Sequence, residues 1–426
     1  MAYYANRYAS PSLGFALGWL YWYTFAIDVP NEITAAGLVI EYWDSPVPTA
    51  VWLTIMIVLV VGLNCLPVGY YGEAEFWFSS IKVISIVGLL LLSIVLVSGG
   101  GPNHTALGFH YWHDPGAVKE LYVNGTSGRL CALLSSILFS VFSIAFAPEL
   151  MVVTGGEMES PRLNLPKAGQ RFFYRLLFLY VVGILFIGMI VSSDNKQLLN
   201  GGEGAGSSPW VLAIKEAGIP VLDSIINAVI ITSAWSCSNS FLYLSTRSLY
   251  SLALVGNAPN FFTRCSKAGV PYYALAASSS FSLLAYLNVS SKGSTVFNWL
   301  VNVINCGGFI SWICCCIVYI RFRKATSAQQ IADIPYRSPI QPYASWICLV
   351  AFTILLLLNG YSVFLRGHWD TSTFITAYVG IPVFLSLYFG HRYFACRTRP
   401  WLYSPGDVDL KSGLDEVLAA EKLMTK

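Results

Sequence analysis

Residues 138–168, LFSVFSIAFAPELMVVTGGEMESPRLNLPKA, place Pro148 and Glu149 inside an apolar run long enough to cross a bilayer. Proline removes a helical hydrogen bond, and a carboxylate in hydrocarbon costs a few kcal/mol. Together they predict a discontinuous helix whose broken part faces protein, ligand or water and not lipid. Secondary transporters hold their cargo at breaks of this kind.

The rest of the chain has the composition such a helix requires. Hydrophobic residues make up 55%, aromatic ones 15% and charged ones only 11%. The mean hydropathy is +0.60. These values describe a polytopic membrane protein and exclude a large soluble enzyme. Apolar runs of the length needed to span about 30 Å of hydrocarbon occur at 12–40, 47–68, 76–98, 131–154, 172–192, 220–245, 272–290, 296–320, 342–364 and 373–394. The expected fold is therefore an all-α bundle of about ten transmembrane helices over residues 1–396, with a cytoplasmic tail at 397–426.

Orientation follows from Lys and Arg, which accumulate in cytoplasmic loops. With residue 1 inside, 19 of the 25 fall on inner segments, and only Lys119, Arg129, Lys196, Lys215, Lys292 and Arg366 fall outside. Both termini are expected in the cytoplasm. The sequons Asn103-His104-Thr105, Asn124-Gly125-Thr126 and Asn288-Val289-Ser290 lie on the outer side, and Asn103 and Asn124 are the candidate glycosylation sites. The first twelve residues lack the basic start and small-residue cleavage site of a signal peptide.

Several polar residues interrupt the spans. Asp28 and Glu32 lie four residues apart, on one face of a helix, with Pro30 between them. Paired carboxylates repel, which raises one pKa and suits a group that binds and releases a proton. The alternative for Asp28 is a solvated position at the outer headgroups. Lys82 either snorkels to the inner interface or places its ammonium at a cation position beside the cargo. Glu73 and Glu75 read as a solvated inner rim. The hydroxyl and amide groups of Ser233, Ser236, Ser238, Asn239, Ser240, Ser245 and Thr246 suit interhelical packing, as do Asn302, Asn305, Gly307 and Gly308, where the glycines also suit close backbone approach.

No enzyme chemistry emerges. There is no Ser-His-Asp order, Walker glycine loop or nucleotide fingerprint in a loop large enough to hold an active site, and no basic motif for nucleic acid. The ten cysteines form no metal or disulfide pattern, and Cys314, Cys315 and Cys316 read as small buried hydrophobes. His110 and His113 have no third ligand nearby. Cys396 beside Arg397 is a juxtamembrane candidate for palmitoylation. No cofactor is expected.

Five stretches carry a resemblance: PSLGFALGWLYWY (11–23), PNEITAAGLVIEYW (30–43), GEAEFWFSSIKVI (72–84), FAPELMVVTGGEMESPRLNLPKA (146–168) and NSFLYLSTRSLYSLALVGNAPNFFTRCSKAGVPYYA (239–274). In this order they resemble fungal amino-acid permeases of the amino acid, polyamine and organocation transporter superfamily. The resemblance implies an inverted-repeat helical bundle, usually of twelve spans, that imports amino acids with protons across the plasma membrane. It puts Glu32 in the family's Pro-x-Glu segment, Lys82 at its membrane lysine, and Ser143 and Phe146 to Glu149 at the broken helix that holds substrate. Asn239 and Ser240 fall in its Asn-Ser segment. It thereby implies substrate-binding roles for Ser143, Phe146, Ala147, Pro148, Glu149, Asn239 and Ser240, and proton-coupling roles for Glu32 and Lys82, to which the carboxylate pairing above adds Asp28. The tail resembles the family's acidic regulatory tail, a landing site for ubiquitin-ligase adaptors.

Two departures qualify the match. Ala147-Pro148-Glu149 stands where the family commonly has Gly-Thr-Glu, which alters backbone approach to the cargo. The match begins at the family's third span, so two spans and a second broken helix are expected to be missing and transport by this 426-residue form is expected to be impaired. Competing expectations are a non-transporting sensor or relic, and an amine carrier using Asp28.

Overall fold

Proline marks where most of the long helices begin. In the computed structural model α1 (Ala2–Tyr8) precedes α2 (Pro11–Ile40), in which Ser10 caps the end by accepting from the Leu13 amide at 3.3 Å and Pro11 takes the first helical position. Pro48, Pro67 and Pro271 sit just before α3 (Thr49–Asn64), α4 (Val68–Val97) and α11 (Tyr272–Ser279). Pro161 opens α7 (Pro161–Ile190) and Pro209 opens α9 (Pro209–Glu216). At these positions the missing N–H has no intrahelical acceptor to lose.

The structure describes all residues except 44–45, 156–159, 200–207, 290–292, 332–333, 335, 339, 415–416 and 419–426. Ser290, Lys292, Lys422 and Lys426 thus lie outside the described residues. The remaining elements are α5 (Thr126–Ile144), α6 (Ala147–Thr154), α8 (Lys196–Leu199), α10 (Leu222–Leu254), α12 (Gly293–Ala328), α13 (Tyr343–Leu358), α14 (Thr371–Tyr378) and α15 (Gly380–Phe394). Among the described residues there is no strand, as an all-α bundle demands.

Helices lie on each of the ten expected stretches, but with altered bounds. Six helical stretches are long and apolar enough to cross a membrane: 68–97, 126–152, 161–190, 222–254, 293–328 and 371–394, of which 126–152 spans α5 and the start of α6 and 371–394 spans α14 and α15. The first expected span is a 30-residue helix whose Asp28, Asn31, Glu32 and ring hydroxyls lower its hydropathy. The 47–68 span stops at Asn64, because Pro67 disfavours helical geometry in the residue before it. The 342–364 span stops at Leu358, where Tyr378 Oη donates to Leu357 O and accepts from Gly360 N. The 272–290 stretch is α11 followed by a tighter 3₁₀ turn from Ser280 to Val289. In contrast α7 begins eleven residues before the expected 172, adding about three turns that carry Arg162, Lys167 and Arg171.

The chain forms two compact units, residues 1–24, 138–173 and 302–426, and residues 25–137 and 174–301. In the second, Val29, Ile33 and Ala36 of α2 pack with Leu53, Met56 and Val60 of α3 and with Ala234 and Leu242 of α10. Ser238 Oγ of α10 also donates to Val29 O, beside the interior Pro30. The outer surfaces of the long helices are apolar, with Ile84 71% exposed. This is the pattern of a lipid-facing helix, whose neighbours are as apolar as its side chains.

In the first unit the tail is docked and not a separate appendage. Arg7 donates to Asp409 O at 2.6 Å and to Ser412 O at 3.0 Å, while Gln329 donates to Val408 O at 2.7 Å. The Asp409 carboxyl is held down to about 2, chiefly by the Ser412 hydroxyl and then by backbone amides and Arg7. Because its folded pKa is depressed below the ordinary 3.8, this contact stabilises above that value and is lost as pH falls through about 2. Cys396 is buried, which removes the accessibility that palmitoylation needs.

Close approach explains one glycine. A Cβ on Gly307 would lie 2.6 Å from Thr24 Oγ1, whereas one on Gly308 would lie 3.5 Å from Ala145 Cβ, an ordinary contact. Gly307→Ala should therefore cost about 1–3 kcal/mol and Gly308→Ala much less. Thermal unfolding in detergent checks this, and equal midpoints for the two variants would refute it.

Candidate functional site

The helix break falls at Ala145–Phe146, two residues before the expected Pro148-Glu149. Phe146 has φ of +60°, and its carbonyl accepts the first hydrogen bond of α6 from Leu150 N at 2.9 Å. Pro148 then sits in the first turn of α6, where no intrahelical bond is lost, so proline is compatible with the second half and does not itself make the break. Glu149 occupies the same turn, where the partial positive charge of a helix start favours a carboxylate.

Glu149 is 2% exposed. Its Oε1 accepts from Ser311 Oγ of α12 at 2.5 Å, and Ser311 Oγ lies 2.8 Å from Tyr21 Oη of α2. The Tyr21 ring meets Phe146 edge-on with centroids 6.2 Å apart. The break is thus lined by buried Phe146, Tyr21 and Ser311, while Ala147 is half-buried and Ser143 and Pro148 are exposed. Sequence reasoning missed Tyr21 and Ser311, because an isolated hydroxyl in an apolar helix carries no pattern of its own.

The second unit holds another polar cluster. Asp28 is 1% exposed, which overturns its solvated reading, and it lies beside half-buried Glu32. The Cys237 thiol of α10 hydrogen-bonds Glu32. The Lys82 ammonium, half-buried, donates to Ser236 Oγ at 3.0 Å and approaches Glu75 Oε1 at 4.0 Å. Ser236 in turn donates to Glu75 Oε2 at 2.7 Å, and Ser79 donates to Glu75 Oε1 at 3.2 Å. Glu75 is therefore half-buried and paired across to α10, in place of the solvated rim position expected from the sequence. The signal was available in its spacing, since Glu75, Ser79 and Lys82 repeat at i, i+4 and i+7 on one helix face.

Asn239 and Ser240 make the interhelical contacts that one of their two sequence readings expects. Asn64 Nδ2 of α3 donates to Asn239 Oδ1 at 2.7 Å, and Tyr71 Oη donates to Ser240 Oγ at 3.1 Å. Both therefore bind α10 to its neighbours. Ser238 and Ser245 do likewise, the latter donating to Ser278 Oγ at 3.0 Å. Asn103 and Asn124 are both exposed, and Asn103 Nδ2 donates to Glu216 O at 2.8 Å. Asn288 is half-buried and donates to Thr34 Oγ1 at 3.0 Å. Among the described residues no three His, Cys, Asp or Glu side chains are grouped to hold a metal, and the ten cysteines are free thiols.

This arrangement of a buried break and ionisable groups within apolar helices coincides with a family match over residues 1–404 to the amino acid permeases. The chain belongs to the amino acid permease family. The proline-specific permease of Emericella nidulans is 45% identical over 420 residues, covering 97% of this chain and 76% of the relative. That of Saccharomyces cerevisiae is 45% identical, covering 97% and 66% respectively. The dicarboxylic amino acid permease of Saccharomyces cerevisiae is 42% identical, covering 91% and 65%. This amino acid permease is thus a multi-pass membrane protein and a transporter by family, not an enzyme.

Asn239→Ala would leave the buried Asn64 amide without its 2.7 Å acceptor, at a cost of about 1–3 kcal/mol. The expected result is a lower unfolding midpoint with unchanged substrate preference in the protein that remains folded. Altered preference at unchanged stability would return Asn239 to the binding site.

Proposed function

We propose that the chain is the transport body of a secondary active permease that takes up amino acids together with protons across the plasma membrane, by alternating access, with both termini cytoplasmic. The observation that carries this reading is the buried Glu149 three residues past a left-handed helix break, where a backbone freed from helical bonding adjoins an ionisable group. Such backbone can hold the charged ends of an amino acid, and the adjacent carboxyl can exchange a proton. Glu32, Lys82 and Asp28 form the second candidate set for proton coupling.

The cargo proposed is proline or a compact apolar amino acid of similar shape. Aromatic Phe146 and Tyr21 flank the break, a surface that suits such a cargo better than a second carboxylate. Two of the relatives described above are named proline-specific, which favours the same choice. Glycans on Asn103 and Asn124 in the outer loop, and ubiquitin-ligase adaptors at the tail, complete the proposal.

Radiolabelled proline uptake in cells stripped of their own permeases, with the protein expressed from its full gene, is the direct test. Uptake should rise as the medium is acidified and be competed by small apolar amino acids more than by aspartate. Glu32→Gln should reduce it at least about tenfold and flatten its pH dependence. Absence of uptake for every amino acid, with the protein verified at the cell surface, would refute the proposal.

A further inference from the structure

Two hydroxyl groups connect the buried carboxyl to the helix break. Ser311 Oγ lies 2.5 Å from Glu149 Oε1 and 2.8 Å from Tyr21 Oη, and all three groups are buried. Each hydroxyl has one proton to donate, so the chain can be polarised in two senses. With Glu149 ionised, Tyr21 donates to Ser311 and Ser311 donates to the carboxylate. With the proton on Glu149 Oε1, the carboxyl can donate to Ser311, which then donates to Tyr21, whose own proton must turn elsewhere. Tyr21 is also the ring that meets Phe146, the residue with positive φ at the break.

We propose that Tyr21 and Ser311 are positioning residues that orient Glu149 and transmit its protonation state to the Phe146 break. Glu149 is the group that exchanges the proton, at Oε1, the oxygen that Ser311 contacts, while Oε2 is buried and without a hydrogen-bond partner among the described residues. One O–H bond forms on the carboxyl when it takes up the co-transported proton and breaks when that proton is returned, while the two hydroxyls keep their own protons and reverse their donor sense. The other titratable group that faces Glu149 is Cys315 of α12, with Cys314 and Cys315 facing Tyr21. The Cys315 thiol is 4.0 Å from Oε1, too long to replace the 2.5 Å bond from Ser311. This inference rests on the proton-coupled transport proposed above.

The test is the pH profile of uptake, with surface protein quantified for each variant. Ser311→Ala removes a donor that favours the charged carboxylate, so the midpoint should move toward alkaline pH by about half to one unit. Ser311→Thr keeps the hydroxyl and should restore the midpoint. Tyr21→Phe retains the ring against Phe146 and should move the midpoint the same way by a smaller amount. A purely structural role predicts lower uptake at every pH with the midpoint unmoved, and that result in both Ser311→Ala and Tyr21→Phe overturns the inference while leaving transport intact. If Ser311→Ala fails to reach the surface, Tyr21→Phe decides alone. No proton-dependent uptake by the unsubstituted protein refutes the transport proposal and this inference with it.

Discussion

Backbone groups in hydrocarbon have no water to bond, so each amide or carbonyl left over by a helix must find a partner inside the protein. This constraint orders the irregular positions of the permease. Beside Pro30, Val29 O accepts from Ser238. At the end of α13, Tyr378 Oη serves both Leu357 O and Gly360 N. Near the α14–α15 junction, Asn359 Nδ2 donates to Ala377 O at 3.1 Å and to Asn302 O at 3.2 Å. At the Phe146 break, the carbonyl bonds forward into α6.

The same rule separates polar side chains that hold the bundle from those available for chemistry. Asn64 and Asn239 satisfy one another, and Ser245 is satisfied by Ser278, so these groups have little freedom to respond to a ligand. Glu149 and Asp28 differ: each is buried with one carboxyl oxygen unmatched among the described residues. A buried carboxyl in that condition is costly unless a proton or another partner is supplied. Lys82, Ser236 and Glu75 form an intermediate case, in which an ion pair within apolar helices is bridged by a hydroxyl.

Much of the architecture was legible because its signals are local. Apolar run length located the helices, while the prolines at several of their starts carried a further signal that run length alone does not use. The family was legible from five ordered stretches whose combination is more specific than any one of them. Helix ends were less so: the stop at Asn64 depends on Pro67, and the stop at Leu358 on a tyrosine twenty residues later. The break was placed two residues too late because Pro148 looked like its cause, whereas a first-turn proline costs a helix nothing and the turn belongs to Phe146.

The sequence by itself determined that the chain is helical, crosses membranes, carries carboxylates within its spans and has the motifs of an amino acid permease, since hydropathy, charge and spacing act over short stretches. Only the tertiary structure decided which polar groups meet. It buried Asp28, drew Glu75 to Lys82, gave Asn239 its partner in Asn64 and brought Tyr21 and Ser311 to Glu149. Those pairings span more than 150 residues in several cases, and a hydrogen bond depends on position to within a few tenths of an ångström, which no local pattern encodes.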